Sequence, residues 1–237
     1  MKSKGSLYLI PADLGSANFN AIFPPFNKEV ILSIKNFIVE DLRSARRFLK
    51  KLSYPGNFDD VNFMILNEHT DIAETKDYLD VINTGLDLGI LSEAGMPCIA
   101  DPGNVIVQAA HRRSIKIISL IGPSSIFLAL AASGFNGQNF AFLGYIPIKP
   151  NERNSFLKDI EKRVWKNNQT QIFIEAPYRN MKLYESILNS CDPETMLCIA
   201  CDLTLDSEYI ATKSVKDWKR SKVELHKKPT VFLLSKY

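Results

Sequence analysis

Two segments of the sequence hold polar side chains beside apolar runs, where a binding site could form. The segment 91–103, LSEAGMPCIADPG, combines Ser92, Glu93 and Asp101 with two prolines and two glycines, yet its other residues are almost all apolar. Surface loops are usually more polar, and core strands do not hold so many strand-breaking residues. The segment 10–16, IPADLGS, reads either as a strand-ending turn or as a ligand loop at the carboxyl end of a parallel strand.

A strongly basic helix is predicted at 42–52. Its apolar residues recur at helical spacing and form one face, comprising Leu42, Ala45, Phe48, Leu49 and Leu52. Five cations fall on the opposite face, namely Arg43, Arg46, Arg47, Lys50 and Lys51. Such a stripe is usually a solvated surface, but five cations with no acid among them repel one another, which favours a phosphate-bearing partner. The spacing alone supports both interpretations.

Two further basic segments follow along the chain. One surrounds a predicted helix start and contains Lys149, Arg153, Lys158, Lys162 and Lys166. The other is KSVKDWKRSK, at 213–222. Because the net charge is only +3, three separate basic stretches indicate an anionic partner more strongly than the total charge does.

The cysteines do not follow a metal-site pattern. Cys198 and Cys201 form a CxxC, but zinc sites usually need a second such pair or two histidines, and residues three apart in a strand face opposite sides. With four cysteines and no secretory signal, we expect no metal, no disulfide and reduced thiols in a cytoplasmic protein. The uncharged stretch 117–148 is broken at GPSS and at SGFNGQN, so no membrane span is predicted.

Alternating strands and helices position these motifs. Strands are predicted at 6–10, 34–40, 61–65, 88–92 and 115–121, and helices between them at 42–52, 71–84 and 103–113. This βαβ rhythm predicts an α/β fold with a parallel sheet covered on both faces. Beyond Gly122 we expect helices at 124–133 and from an N-cap at Asn151, with strands at 140–145, 170–175, 196–202 and 230–235. The expected domains are 1–120 and 121–237.

Seven segments, in order over nearly the whole chain, resemble the S-adenosylmethionine-dependent tetrapyrrole methylase superfamily. They are PADLGS, VEDLRSARRFLKKL, LSEAGMPCIADPG, IGPSSIFLALAASGF, FLGYIPIKPNER, IFIEAPYRNMKLYESI and DLTLDSEYI. Within the superfamily, the sequence is most similar to the small-subunit ribosomal RNA methyltransferase I branch, which modifies a cytidine 2′-hydroxyl. The resemblance implies a two-lobed α/β fold, with a parallel N-terminal sheet, a mixed C-terminal lobe, the cofactor in the cleft between them, and a homodimer.

The resemblance also implies S-adenosylmethionine as the cofactor, with the 91–97 loop in its pocket. Apolar walls with a few fixed polar groups suit a ligand that combines an adenine, a ribose and a sulfonium. The implied cofactor-binding residues are Leu14, Glu93, Gly95, Met96, Ser124, Ser125 and Ile174. Several positions depart from the family pattern, among them Glu93, which replaces an Asp, Met96, which replaces a Thr, and Cys201, which replaces an Arg.

Methyl transfer to RNA of the small ribosomal subunit is the activity that the resemblance implies. Transfer from a sulfonium needs in-line alignment, and a ribose hydroxyl benefits from a general base, for which Asp41 and Glu175 are the candidates. Each acid could instead be a structural partner of a nearby arginine. The candidate substrate-binding residues are Arg43, Arg46, Arg47, Lys149, Arg153 and Arg179. Two alternatives stay open: a methyltransferase for a tetrapyrrole or another small molecule, and a cofactor-binding module without turnover.

Overall fold

Two structural units make up the chain. In a computed structural model, which describes residues 4–16 and 18–237, the first unit ends at Ser124 and the second comprises Ser125–Tyr237. Each unit is built on its own five-stranded sheet.

The first unit alternates strands with helices. Its strands are β1 (Leu7–Ile10), β2 (Asn36–Val39), β3 (Asn62–Ile65), β4 (Leu88–Leu91) and β5 (Ile117–Ser119). Its helices are α1 (Phe19–Ile22), α2 (Pro25–Ser33), α3 (Leu42–Lys51), α4 (Asp80–Asn83) and α5 (Asn104–Arg112), with 3-10 helices at Phe58–Asp60 and Ile72–Thr75.

All strands of the first sheet are parallel, in the order β3-β2-β4-β1-β5, which confirms the parallel sheet predicted from the βαβ rhythm. The sheet is covered on both faces, as β2 illustrates. Phe37 and Val39 pack in one cluster with α2 and α3, whereas Ile38 packs with α4 and α5 on the other face. All three side chains are buried, so a strand between two apolar layers reads as a continuous apolar run.

The long helix predicted at 71–84 is wrong. The structure has a single 3-10 turn, Ile72–Thr75, and the four-residue helix α4 in its place. Asp71 accepts a hydrogen bond from the backbone N–H of Ala73 at 2.8 Å. Aspartate side chains that bond the nearby backbone favour turns over continuous helix, which accounts for the broken element.

The second unit combines helices with a mixed sheet, as expected for the C-terminal lobe. Its strands are β6 (Phe140–Tyr145), β7 (Thr170–Ile174), β8 (Met196–Cys201), β9 (Tyr209–Ser214) and β10 (Thr230–Ser235), in the order β6-β7-β10-β8-β9. Only β6 and β7 pair in parallel; the other pairs are antiparallel. Its helices are α6 (Ser125–Ser133), α7 (Pro150–Asn167), α8 (Asn180–Ser190) and α9 (Val215–Trp218), with a 3-10 helix at Pro177–Arg179.

The start of α7 differs from the prediction. Asn151 lies inside the helix, Pro150 is its first residue and Lys149 is the N-cap. Proline suits the first helical position because its fixed φ is already helical and its missing N–H would have no partner there. None of the described helices has both the length and the apolarity needed to cross a membrane.

Candidate functional site

The loop after β4 is tied to the loop after β1. Gly95 and Ala12 exchange two backbone hydrogen bonds, of 2.9 Å from Ala12 N–H and 3.2 Å from Gly95 N–H. The buried hydroxyl of Ser92 donates to the Gly95 carbonyl at 2.6 Å. Because β1 and β4 are neighbouring parallel strands, both loops leave the same edge of the sheet. The bonds hold them together in a fixed arrangement.

Gly95 lies where three loops meet. Its φ of +70° is in the left-handed region that favours glycine, and a Cβ added to it would lie 3.4 Å from Leu14 Cδ2 and 3.5 Å from the Pro123 carbonyl oxygen. The loops after β1, β4 and β5 therefore converge on this point. Leu14 and Gly95, which the family resemblance assigns to one pocket, are thus neighbours. Ser124 directly follows Pro123.

The remaining predicted cofactor residues fall into two groups. In the first unit, Glu93 is exposed and Met96 is half-buried, in the same loop as Gly95. In the second unit, Ser125 is the first residue of α6, and Ile174 is the last residue of β7.

Asp101 holds the second half of the loop. Its carboxylate accepts hydrogen bonds of 2.7 Å from the backbone N–H groups of Cys98 and Gly103. Cys98 and Ala100 both have positive φ, of 67° and 62°, so the turn needs this support. Burial raises the pKa of Asp101, although the two N–H groups oppose that shift.

Glu40 has an environment that the sequence pattern does not predict. It directly follows β2 and lines a small cavity together with Leu91, Asp101 and Gly103. Burial, reinforced by the charges of Asp101 and Glu93, raises the pKa of Glu40 to about 7. The only available signal was that β2 and β4, if adjacent and parallel, would place the acids that follow them at one edge of the sheet.

Asp41 is the N-cap of α3. It accepts a hydrogen bond of 2.8 Å from the backbone N–H of Ser44. That N–H, with the Ser44 hydroxyl, lowers the pKa of Asp41. A carboxylate with a lowered pKa is a weaker base, so its contacts support a structural role more than proton removal.

Fewer cations of α3 are free to contact a ligand than the sequence spacing indicates. Lys51 pairs with Asp13 at 3.2 Å, so the stripe does have an acidic neighbour. Arg46 is half-buried, with its guanidinium 5.8 Å and 5.7 Å from the ring centres of Phe58 and Phe63. Four of the five cations are exposed, namely Arg43, Arg47, Lys50 and Lys51, and of these Lys51 has a described ion pair.

In the second unit, Glu175 forms an ion pair with Arg179. Arg179 Nη2 donates to Glu175 Oε1 at 2.6 Å, and the backbone N–H of Ala176 donates to the same oxygen at 2.7 Å. The Glu175 side chain is fully buried, and its Oε2 has no hydrogen-bond partner among the described residues. This buried pairing makes Glu175 a partner for Arg179 and leaves it poorly placed to act as a free base.

The two candidate substrate-binding residues of the second basic segment, Lys149 and Arg153, also differ in exposure. Arg153 is only 6% exposed and donates to Ser186 Oγ at 3.0 Å and to the Ile148 carbonyl at 3.3 Å. Its guanidinium is therefore committed inside the unit and cannot serve as a phosphate contact, contrary to the expectation from sequence. Lys149 is exposed, and its only described ion pair is with Glu152 at 3.1 Å.

No disulfide joins the cysteines among the described residues. Cys98, Cys191, Cys198 and Cys201 all lie in described positions and are free thiols. Within the described residues, no three His, Cys, Asp or Glu side chains are grouped closely enough to hold a metal ion. Burial raises the pKa of Cys198 to about 11, which disfavours the thiolate form that metals bind.

The chain has close relatives of known name, although no family model matches it. It is 32% identical over 211 residues to Ribosomal RNA small subunit methyltransferase I of Streptococcus pyogenes serotype M6, covering 88% of this chain and 68% of the relative. The protein of the same name from Vibrio cholerae serotype O1 is 29% identical over 207 residues, with coverages of 86% and 67%. That from Buchnera aphidicola subsp. Schizaphis graminum is 25% identical over 241 residues, with coverages of 99% and 79%.

Solved structures share the fold at lower sequence identity. The methyltransferase CobJ matches with a TM-score of 0.65 and 15% identity, covering 98% of this chain and 94% of that one. The cobalt precorrin-4 methyltransferase CbiF matches with a TM-score of 0.61 and 15% identity, covering 97% and 94%. At this identity the likeness shows the fold alone, and it confirms the tetrapyrrole methylase-like fold expected from the sequence.

Proposed function

We propose that this chain, which belongs to the ribosomal RNA small subunit methyltransferase I family, transfers a methyl group from S-adenosylmethionine to RNA of the small ribosomal subunit. Family membership makes it a methyltransferase. The observation that carries the proposed substrate is the 32% identity to a relative named for that RNA, over 88% of this chain.

The residues around Gly95 suit S-adenosylmethionine. Bound there, the cofactor would supply an activated methyl group on a sulfonium. Leu14 and Met96 offer apolar contact for its uncharged parts, and the exposed carboxylate of Glu93 can accept hydrogen bonds from hydroxyl or ammonium groups. The fixed bonds between the loops of Ala12 and Gly95 mean that little ordering is needed on binding. Gly95, Ser124, Ser125 and Ile174 are the other proposed cofactor-binding residues.

Cations that reach the surface are the proposed RNA contacts. Exposed Arg43, Arg47 and Lys50 offer three charges on one helix. In the second unit, exposed Lys149 and half-buried Arg179 offer two more. Arg153 is buried and is not a proposed contact, and Arg46 packs against Phe58 and Phe63. Phosphate contacts of this kind position RNA without reading its sequence.

Asp41 and Glu175 act as positioning residues in this proposal. Asp41 fixes the first turn of α3, from which Arg43 and Arg47 project. Glu175 fixes the guanidinium of Arg179. The protein contributes chiefly alignment, which is the main requirement of an in-line displacement.

We also propose a homodimer that acts in the cytoplasm. Support for self-association comes from large apolar side chains at the surface of α6, where Phe127 is 60% exposed and Leu128 is 40% exposed. An exposed apolar surface of this kind is typical of an interaction site. Sedimentation velocity of the chain should give twice the monomer mass of 26.7 kDa.

Methylation of isolated small ribosomal subunits with radiolabelled S-adenosylmethionine tests the proposed function. Label in the RNA fraction supports it. Label transferred only to a tetrapyrrole or another small molecule would favour a different substrate. Cofactor binding without transfer to any acceptor would favour a binding module.

A further inference from the structure

Two exposed tyrosines flank the same ion pair in the second unit. Tyr145 ends β6 and pairs with Ile174, the residue before Glu175. Tyr178 lies in the 3-10 helix that follows, next to Arg179. Their exposed fractions are 60% and 61%. Large aromatic surfaces left in water at one place are typical of a binding site.

The backbone presents Tyr145 by a local irregularity. The pairing of β6 with β7 shifts register between Phe142 and Tyr145, and Gly144 has a φ of +66°. Most other residues avoid this conformation, which costs L-amino acids with a side chain about 1 kcal/mol or more. The bulge therefore changes the register in which Tyr145 pairs with Ile174 at the end of the strand.

Arg179 is fixed beside these rings. Its guanidinium carbon is 4.9 Å from the centre of the Tyr178 ring, and Nη1 donates to the Tyr178 hydroxyl at 2.6 Å. Nη2 is held by the buried carboxylate of Glu175 at 2.6 Å. Glu175 raises the pKa of Arg179, so the guanidinium beside Tyr178 stays charged.

We propose that Tyr145 and Tyr178, with the guanidinium of Arg179, form a stacking platform for an unpaired RNA base. The inference rests on the proposed function and names the part of the RNA that this surface takes. Planar bases stack on tyrosine rings and on arginine planes, and such contacts recognise single-stranded RNA in other proteins. Lys149, exposed four residues beyond Tyr145, can neutralise an adjoining phosphate.

Ring-removing substitutions test the platform. Tyr145→Leu and Tyr178→Leu should each weaken binding of a single-stranded RNA decamer about 5- to 150-fold by fluorescence anisotropy, since one base–aromatic stack contributes that much. Tyr145→Phe and Tyr178→Phe keep the ring and should bind within about threefold of wild type. Tyr237→Leu removes a ring that is 79% exposed at the chain end and serves as the matched control, with unchanged affinity.

The salt dependence separates stacking from charge. Because no phosphate contact is lost, the log–log salt slope of the leucine variants should equal that of wild type. In a set of decamers that each lack the base at one position, wild type should bind one member more weakly than the others. Tyr178→Leu should bind all members with the same affinity. Circular dichroism melts confirm that each variant is folded.

The platform is refuted if folded leucine variants bind the decamer as wild type does, if the phenylalanine variants lose as much affinity as the leucine variants, or if wild type does not bind the decamer. These assays need no turnover. A wild-type protein that binds RNA through the rings but does not methylate ribosomal subunits would contradict the proposed function and leave the platform standing.

Discussion

At the scale of single residues, the acids of the site have separate tasks that their sequence positions do not reveal. Glu40 and Asp41 are adjacent, yet Asp41 caps a helix in contact with water while Glu40 faces Asp101 and Glu93. Their pKa values shift in opposite directions, upward for Glu40 because of burial and downward for Asp41 because of the Ser44 N–H.

Substitution of Asp41 distinguishes a helix cap from a general base. Asp41→Asn keeps a side-chain oxygen that can accept from Ser44 N–H, so methyl transfer and the melting temperature should stay close to wild type. Asp41→Ala removes the cap and should lower the melting temperature by about 2–4 °C. A loss of turnover of a hundredfold or more in Asp41→Asn, with normal melting, would instead make Asp41 the base.

Glu40 should make the stability of the protein depend on pH. Its pKa is about 7 in the folded chain against an ordinary value of 4.5, so the folded state binds the proton more tightly than the unfolded state does. The contribution of Glu40 to the free energy of unfolding is therefore present at low pH and is lost as pH rises through about 7.

Between pH 5 and pH 8, wild type should lose about 1 kcal/mol more unfolding free energy than Glu40→Gln, after allowance for solvent screening of this half-exposed group. Urea denaturation at both pH values is the measurement. Glu29→Gln, an exposed acid on α2, is the control and should behave as wild type does. Equal losses in wild type and Glu40→Gln would show that the carboxyl cluster does not bind the proton.

At the scale of elements, α3 combines three functions on one amphipathic helix. Its apolar face packs on the sheet, Arg46 lies against two aromatic rings, and Arg43, Arg47 and Lys50 remain exposed. Helical periodicity predicted the bounds of α3 to within one residue. It could not show which cations pack inward, because Phe58 and Phe63 meet Arg46 only after the chain has folded.

Reversal of the exposed charges on α3 should weaken RNA binding. Arg43→Glu with Arg47→Glu removes two phosphate contacts, which should lower the log–log salt slope by about 1.4 for a single strand while cofactor affinity is kept. Arg112→Glu with Lys116→Glu makes the same charge change near the start of β5, at the opposite edge of the sheet, and is the control. Equal effects of the two double substitutions would show that RNA binding depends on the net charge and not on the position of the α3 cations.

The convergence of loops on Gly95 predicts its role in cofactor binding. Gly95→Val adds a side chain beside Leu14 and Pro123 and should weaken binding of S-adenosylhomocysteine about tenfold or more in calorimetry. Gly56→Val is the matched control, because Gly56 has a φ of +87° and a Cβ there would meet nothing within 4 Å. Both variants carry backbone strain. Undiminished affinity in a folded Gly95→Val protein would place the cofactor elsewhere.

At the scale of the whole molecule, much of the architecture follows from local sequence pattern. Buried strands such as β2 and β4 are continuous apolar runs, and their alternation with helices predicted the parallel sheet. The strand β9 escaped prediction because YIATKS mixes polar and apolar residues and lies at the edge of its sheet. The pairing of Gly95 with Ala12 depends on how the chain folds, which local pattern does not specify. The local pair of Glu175 with Arg179 was one of the alternatives that the sequence left open.

The most direct test of the central claim is to locate the transferred methyl group. Small ribosomal subunits that lack the modification are incubated with the protein and radiolabelled S-adenosylmethionine, and the RNA is digested to nucleosides and separated. The account predicts label in a single 2′-O-methyl nucleoside, about one methyl per subunit, and loss of that label with Arg43→Glu/Arg47→Glu but not with Arg112→Glu/Lys116→Glu. Absence of label from the RNA, with the cofactor bound, would contradict the claim.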